Sequence, residues 1–504
     1  MEAIWGIGGT DQHHYPTLNE DISADAVVIG AGITGITTAL QLADAGMDVV
    51  VLEALAVGQG GTGGSTGNLY STVARGLAPL RKTWDDATIR DVVNARALAI
   101  DHIEALVERF GIDCQFHRRV LYHIAKAEDK QILETLDAER EAMRCAGLEV
   151  KSAEDAMLPF QMTHGLKIEG QAQFNPLRYV QGLARAVSQQ SVRIFEGSPV
   201  REVKYPQGVV VTDKATVTAH HIIHATHTPK GINLLHASLL PSREYGIGVK
   251  LNSGAYPEGI FFVHDPFHSL RSYRHGDEHY LVVIGEQHKT GEGQADAAYF
   301  ERLHAYISEH FDVESIAYRW SNQQYSPADG LPYIGRMHGK DNAYLATGFA
   351  ADGLTWGSLA GMIIADLVTR RDSPWRTHFD SSRFDSRRFT PGKSAMNWAR
   401  ENASVTKHLA KDYLGTRNLK ELADVSPGQG KVMTLKGEKL AIYMSHDGEL
   451  SVLSAVCPHM KCLVHWNGAE TSWDCPCHGS RFDIQGEVIE GPAYHPLARR
   501  EQPH

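Results

Sequence analysis

The 504-residue sequence contains no uninterrupted apolar run of the roughly 18 residues that a membrane-spanning helix needs, so no transmembrane segment is expected. Positive charge is also short. Forty-nine Lys and Arg stand against 60 Asp and Glu, a formal net charge of -11, and no basic run reverses this locally. That balance argues against nucleic acid or an anionic membrane surface as a partner. The first 24 residues are polar, with Glu2, Asp11, Asn19 and Asp21, and lack the basic and apolar regions of a secretory signal. Cysteine is scarce: there are six, and only Cys114 and Cys145 lie outside the stretch 457–477. A secreted disulfide framework would not be distributed this way, so a cytoplasmic protein is expected. The length implies two or three domains, and 42% hydrophobic residues suffice for well-formed cores.

What is present is concentrated near the C-terminus. Residues 457–478 read CPHMKCLVHWNGAETSWDCPCH. Cys457-x-His459, fifteen further residues, then Cys475-x-x-His478 supply two thiolates and two imidazoles on two loops. Two Cys with two His is also an ordinary zinc composition. Zinc fingers, however, group their cysteines and then their histidines. Here each short motif gives one of each. That suits a two-iron cluster in which one iron takes both cysteines and the other both histidines.

Over roughly residues 415–504 the chain resembles the Rieske [2Fe-2S] domain. The resemblance implies a cluster held by Cys457, His459, Cys475 and His478. It also implies a disulfide between Cys462 and Cys477, which match the paired cysteines of the Rieske proteins in cytochrome bc complexes. Gly479-Ser480 continues the match, and Gly491-Pro492-Ala493 is similar to the loop that covers such clusters. One position departs: where bc-complex domains commonly carry tyrosine, this chain has Phe482. Hydrogen bonds to the cluster and ligand sulfurs raise the potential. Ser480 can donate one and Phe482 cannot.

The N-terminal part carries a second pattern. Asp25 to Ile29 reads as a strand, Gly30-x-Gly32-x-x-Gly35 as a turn, Ile36 to Ala45 as a helix, and Met47 to Leu52 as a strand ending at Glu53. This is the dinucleotide-binding βαβ unit in its proper context. Gly30 allows the turn, Gly32 the approach of a pyrophosphate, and Gly35 close helix–strand packing. The phosphates would sit at the helix N-terminus and Glu53 at a ribose. Residues 1–24 read as an extended arm. Gly58 to Asn68 form a glycine-rich loop, and helices are expected over 88–110, 128–147 and from Asn175-Pro176 to about Gln190. Antiparallel strands are expected over 192–212, a buried strand over 222–226, and a sheet with one wetted face over 245–290. Residues 330–370 read as strand, glycine turn and helix. Arg376 to Arg388 is a polar, basic segment, and 394–413 reads as a helix.

Over about residues 25–372 these pieces resemble the D-amino-acid oxidase-like FAD oxidoreductases, which include glycine and sarcosine oxidases. The resemblance implies that Gly30, Gly32, Gly35 and Glu53 hold the ADP half of FAD. Thr66 and Asn68 would lie near the flavin, Val200 would meet adenine, and Ala225-Thr226 would pass close to the dinucleotide. Gly348, Asp352, Gly353, Leu354 and Thr355 would line the isoalloxazine. No Cys occurs over 310–350 and no His over 53–68, so FAD is expected to be non-covalent. The order of the modules resembles a bacterial group of FAD-dependent oxidoreductases with Rieske domains.

The fold expected is therefore α/β: an arm (1–24), a Rossmann-like FAD-binding domain with an inserted α+β substrate domain (25–372), a connector (373–414) and a small all-β Rieske domain (415–504). FAD-binding segments are expected at about 25–75, 190–230 and 330–372. The expected activity is oxidation of a small amine or amino acid. Electrons would then leave one at a time through the cluster to an acceptor protein or quinone. Arg271, Tyr273 and His288 are the substrate-side candidates, Arg271 as a carboxylate clamp; no catalytic base can be named. The alternatives are a reductase or electron-entry component and a redox sensor without amine turnover. The sequence lacks the second G-x-G-x-x-G unit of a pyridine-nucleotide reductase.

Overall fold

A computed structural model describes residues 2–7, 13–126, 129–264, 266–292, 298–384 and 425–501. The expected helix at 394–413, most of the connector and the first part of the 415–504 segment lie outside the described residues.

The apolar strand Ile22–Ile29 is buried at its C-terminal end because parallel neighbours cover both its edges, the helix Ile33–Asp44 covers one face, and Val200 and Val210 pack on the other. The sheet runs Tyr333–Arg336, Ala343–Thr347, Thr216–His224, Ile22–Ile29, Val49–Leu52, Val192–Phe195. Val192–Phe195 is not the antiparallel strand expected from its surroundings. It joins Val49–Leu52 in parallel, and only Val200–Lys204 and Val209–Thr212 form the hairpin. The helices Ile33–Asp44 and Gly353–Val368 pack closely because glycines face threonines. A Cβ on Gly357 would lie 2.7 Å from Thr34 Oγ1, and one on Gly361 2.8 Å from Thr37.

The second sheet runs Val313–Pro327, Leu239–Leu251, Glu278–Lys289, Phe267–His275, Ile260–His264, His117–Ala125, His164–Gln173, Asn68–Leu69. The expectation of one wetted face fails here. One face packs Tyr273, Tyr280, Val282, Ile284 and Trp320 against Ile4 and Trp5. The other packs Tyr245, Ile247, Leu281 and Val283 against the helix Ala298–Ser308, which the sequence reading did not foresee. The N-terminal arm is likewise no free extension, since Ile4 and Trp5 form a short buried turn. Both corrections have one cause: apolar strand faces acquire covers from distant segments.

The C-terminal module contains the antiparallel sheet Gly430–Leu435, Glu438–Met444, Leu450–Ser454 and a second of His465–Asn467, Ser472–Asp474, Arg481–Phe482, Val488–Glu490. Trp473, Phe482 and Leu453 fill its core together with the cysteines.

Candidate functional site: a flavin cradle and a docked cluster site

The first glycine turn has the geometry a dinucleotide needs. Gly30 has φ +104°, and a Cβ there would lie 2.5 Å from the Ala225 carbonyl oxygen. A Cβ on Gly35 would strike Gly30 O at 1.9 Å. Gly32 caps the helix Ile33–Asp44 without a side-chain bond of its own, and Thr62 Oγ1 accepts from Ile33 N at 3.0 Å. Glu53 follows the second strand and accepts from Ala31 N at 2.7 Å and Leu55 N at 2.9 Å. Burial pushes its carboxyl up, against those bonds and the charge of Lys230. Val200 is buried at the start of its hairpin. The turn also brings in Lys230, which the sequence reading missed because nothing local marks it.

At the second helix start, Gly348 has φ +79° and packs on Leu239 and Pro327. Asp352 gives the helix Gly353–Val368 no side-chain cap, so the first-turn backbone N–H groups around Leu354 and Thr355 face outward from the helix end. The Asp352 carboxylate instead accepts from Tyr70 Oη and from Ala74 N at 3.0 Å, and lies 3.6 Å from Arg96 Nη1. Burial pushes this carboxyl up while Arg96 opposes the rise. Thr66 and Asn68 lie close to the second sheet: Asn68 Nδ2 donates to Ser269 Oγ at 3.4 Å, and its Oδ1 is buried without a partner among the described residues. Two glycine turns, the start of the helix Gly353–Val368 without a side-chain cap and the buried Asn68 amide oxygen together fit a bound dinucleotide with its flavin end toward the second sheet.

Arg271 is committed through one of its two terminal nitrogens, and Nη2 makes no hydrogen bond among the described residues. Its Nη1 donates to Gly67 O at 2.7 Å and to the carbonyls of Thr66 and Phe174 at 3.3 Å, while its guanidinium packs on Trp5. Tyr273 Oη accepts from Asn175 Nδ2 at 2.9 Å. His288 lies away from both: it bonds Tyr245 Oη at 3.1 Å and stacks on Tyr299. The three residues therefore do not converge on one site. Arg271 and Tyr273 line, with His117, Arg119 and Glu258, a polar cavity of about 380 Å³.

In the C-terminal module, Cys462 and Cys477 are joined in a disulfide, leaving Cys457 and Cys475 as buried free thiols. The sulfurs of Cys462, Cys475 and Cys477 lie within 4.8 Å of one another, but the disulfide removes two of that trio as ligands. The thiols of Cys457 and Cys475 touch, and the Ser480 hydroxyl also bonds Cys457. The rings of His459 and His478 lie 5.0 Å apart. His459 Nε2 donates to Gly231 O at 3.1 Å, which leaves Nδ1 as the bare nitrogen. His478 Nδ1 is buried and has no partner among the described residues. Burial holds both imidazoles neutral, near a value of about 4. Two adjacent thiols and two imidazoles with available Nδ1 atoms fit a [2Fe-2S] cluster of mixed ligation.

A family model described as FAD dependent oxidoreductase matches residues 25–367, and the Rieske [2Fe-2S] domain model matches residues 417–501. The chain belongs to the FAD dependent oxidoreductase family. It is an FAD-dependent oxidoreductase with a Rieske domain, and its cofactors are FAD and a [2Fe-2S] cluster. A Bacillus subtilis (strain 168) protein, YhfW, named as a Rieske 2Fe-2S iron-sulfur protein, is 33% identical over 502 residues, covering 98% of this chain and 97% of its own. Gamma-glutamylputrescine oxidoreductase of Escherichia coli (strain K12) is 28% identical, covering 74% of this chain and 88% of its own. Among solved structures, glycine oxidase from Geobacillus kaustophilus superposes with TM-score 0.60 at 19% identity, covering 72% of this chain and 99% of its own, a likeness of fold. No helix among the described residues is long and apolar enough to cross a membrane.

The histidine tip of the Rieske domain is docked on the FAD module. His236 lies 4.9 Å from the His459 ring and 5.7 Å from that of His478, and donates from Nε2 to Pro229 O at 2.9 Å. Gly231 N donates to Pro492 O at 2.9 Å. Tyr325 Oη donates to Gly491 O at 3.1 Å, and Gln323 Nε2 to Gly479 O at 2.9 Å. His227 bonds Glu490 at 3.0 Å, and a Cβ on Gly61 of the glycine-rich loop would lie 3.7 Å from the same His227 Nδ1. Arg243 Nε donates to Glu470 at 3.0 Å. These interface residues are scattered in sequence and carry no motif.

Proposed function

We propose that this protein oxidises an amine or amino acid at its C–N bond. The electrons then pass one at a time through the Rieske centre of the same chain to a protein or quinone acceptor. FAD, held without a covalent link, supplies hydride acceptance, and the [2Fe-2S] cluster supplies one-electron transfer. The observation that carries this reading is the docking of both ligand imidazoles on the segment 227–236. That segment continues directly from Ala225-Thr226, against which Gly30 packs. His227 lies beside Gly61 of the glycine-rich loop and bonds Glu490. The chain's own part is to hold the two centres in fixed relation and keep water out between them. An oxidase that delivers electrons to oxygen needs no such second centre.

The test is anaerobic rapid mixing with a panel of amines and N-methyl amino acids, followed by flavin absorbance and EPR. Bleaching of the flavin with reduction of the cluster in the same molecules is expected. A cluster that stays oxidised beside a fully reduced flavin, at a potential that permits transfer, overturns the relay.

A further inference from the structure

The segment 227–236, on which the Rieske tip docks, also carries a cation at the edge of the dinucleotide cradle. Lys230 rests on the Rieske domain along its side chain. A Cβ on Gly491 would lie 3.6 Å from Lys230 Cγ and 3.9 Å from its Cε, and the ammonium lies over the Tyr494 ring, 6.0 Å from its centre. The loop 491–494 is fixed there. Gly231 N donates to Pro492 O at 2.9 Å, and Arg201 Nη1 donates to Tyr494 O at 3.4 Å. A Cβ on Gly231 would lie 2.8 Å from the Tyr494 ring, and that ring packs against the buried cluster that includes Leu52 and Val200. Val200 and Glu53 are the residues expected at the adenine and the ribose. This Rieske loop therefore reaches the adenosine end of the cradle, and none of these contacts uses a residue proposed as a cluster ligand.

The charge of Lys230 acts on Glu53, and that of Glu53 acts on Lys230. The two nevertheless do not close into an ion pair among the described residues, and the ammonium makes no hydrogen bond there. Burial lowers the Lys230 ammonium and raises the Glu53 carboxyl, so both charges are held where solvent stabilises them poorly. A cation in such a place is costly unless a polar group joins it. Glu53 accepts one backbone N–H on each oxygen, from Ala31 and Leu55, and each oxygen keeps a further acceptor site. Lys230 brings three N–H donors. A ribose diol complements this pair, since its hydroxyls can donate to the carboxylate and accept from the ammonium.

We propose that Lys230 is a further FAD-binding residue, donating with its ammonium to the ribose of the adenosine half beside Glu53, and that the Rieske loop Gly491–Tyr494 confines it there. The Rieske domain thereby completes the FAD site of the neighbouring module. An ammonium N–H on a ribose hydroxyl is a charge-assisted bond in a place shielded from water. The proposal does not rest on the amine-oxidation reading and holds whatever the substrate is.

The test is release of FAD from the full-length holoprotein after dilution, read as the rise of flavin fluorescence, with the EPR signal of the reduced cluster as the check that the Rieske domain is intact. Lys230→Met should speed release on the order of 10- to 100-fold, and Lys230→Arg by less. Tyr494→Ala should also speed release, and combining it with Lys230→Met should add little, because both act on one contact. Release from the Met variant within about twofold of wild type refutes the FAD contact. No effect of Tyr494→Ala, or an effect that adds in full to that of Lys230→Met, refutes the part given to the Rieske loop. If Lys230→Met loses its cluster, the wild type decides. Lys230 should resist reductive methylation in the holoprotein and accept it once FAD has been removed, read by mass spectrometry of its peptide; equal labelling in the two states refutes the proposal.

Discussion

The four residues proposed as cluster ligands come from one stretch, 457–478, and the disulfide ties its two loops together. The flavin cradle instead joins Gly30, Glu53, Asn68 and Gly353. One bond in its frame, Tyr70 to Asp352, spans 282 residues. The cluster site is chemically closed, with its thiols touching and the acidic groups around it paired to Arg243 and Arg481. The cradle keeps the Asn68 amide oxygen buried without a partner among the described residues. The difference teaches that two resident cofactors are held by different means. An inorganic centre is enclosed by a few ligands at short spacing, while a dinucleotide is held by turns and helix starts that only folding gathers.

The sharpest break of this comparison is at the ligands. His459→Ala or His478→Ala should abolish the cluster while FAD content stays unchanged, because no FAD-cradle residue depends on either imidazole. Iron and acid-labile sulfide analysis beside the flavin spectrum checks this, and one zinc without sulfide in the wild type would contradict the cluster assignment.

Next comes the seam between the two regions. Arg243→Met leaves Glu470 with one cation fewer in a buried network, and breaking a buried pair costs about 3–5 kcal/mol. A lowered thermal midpoint is expected, with slower reduction of the cluster after the flavin. An unchanged midpoint would mean that the seam is held by its neutral hydrogen bonds alone.

The same network gives a pH dependence. Burial would raise the Glu470 carboxyl, but Arg243 and Arg481 outweigh it and hold the group down at about 2, below its ordinary 4.5. A value depressed by folding adds stability that is fully present above the ordinary value. That stability is lost as pH falls from about 4.5 toward 2. Acid titration of the folded protein should therefore loosen the Rieske docking in that window, and Arg243→Met should move the transition to higher pH.

The smallest effect belongs to Phe482, which is fully buried in the core that encloses Cys457 and Cys475. Phe482→Tyr should raise the cluster potential if its hydroxyl reaches a ligand sulfur. The wild-type potential should lie below that of bc-complex Rieske centres, and redox titration measures both.

By itself the sequence determined the cluster chemistry, the glycine turn that opens the first helix and the succession of modules. Each is local: metal ligation and tight turns need particular residue types at short spacing, and those leave a pattern in a linear string. Arg271 shows the limit. Its chemistry suited a clamp, but Nη1 is taken by the carbonyls of Gly67, Thr66 and Phe174, which only folding brings to it. The buried helix Ala298–Ser308 and the tucked Trp5 went unread because their cover is supplied by strands far away in the chain. Only the tertiary structure decided that His236 meets both ligand imidazoles and that adjacent residues Arg243 and Glu244 serve opposite faces of one strand. Contacts between distant segments follow from packing and register, and a glutamate beside an arginine looks the same in sequence whichever way each side chain turns.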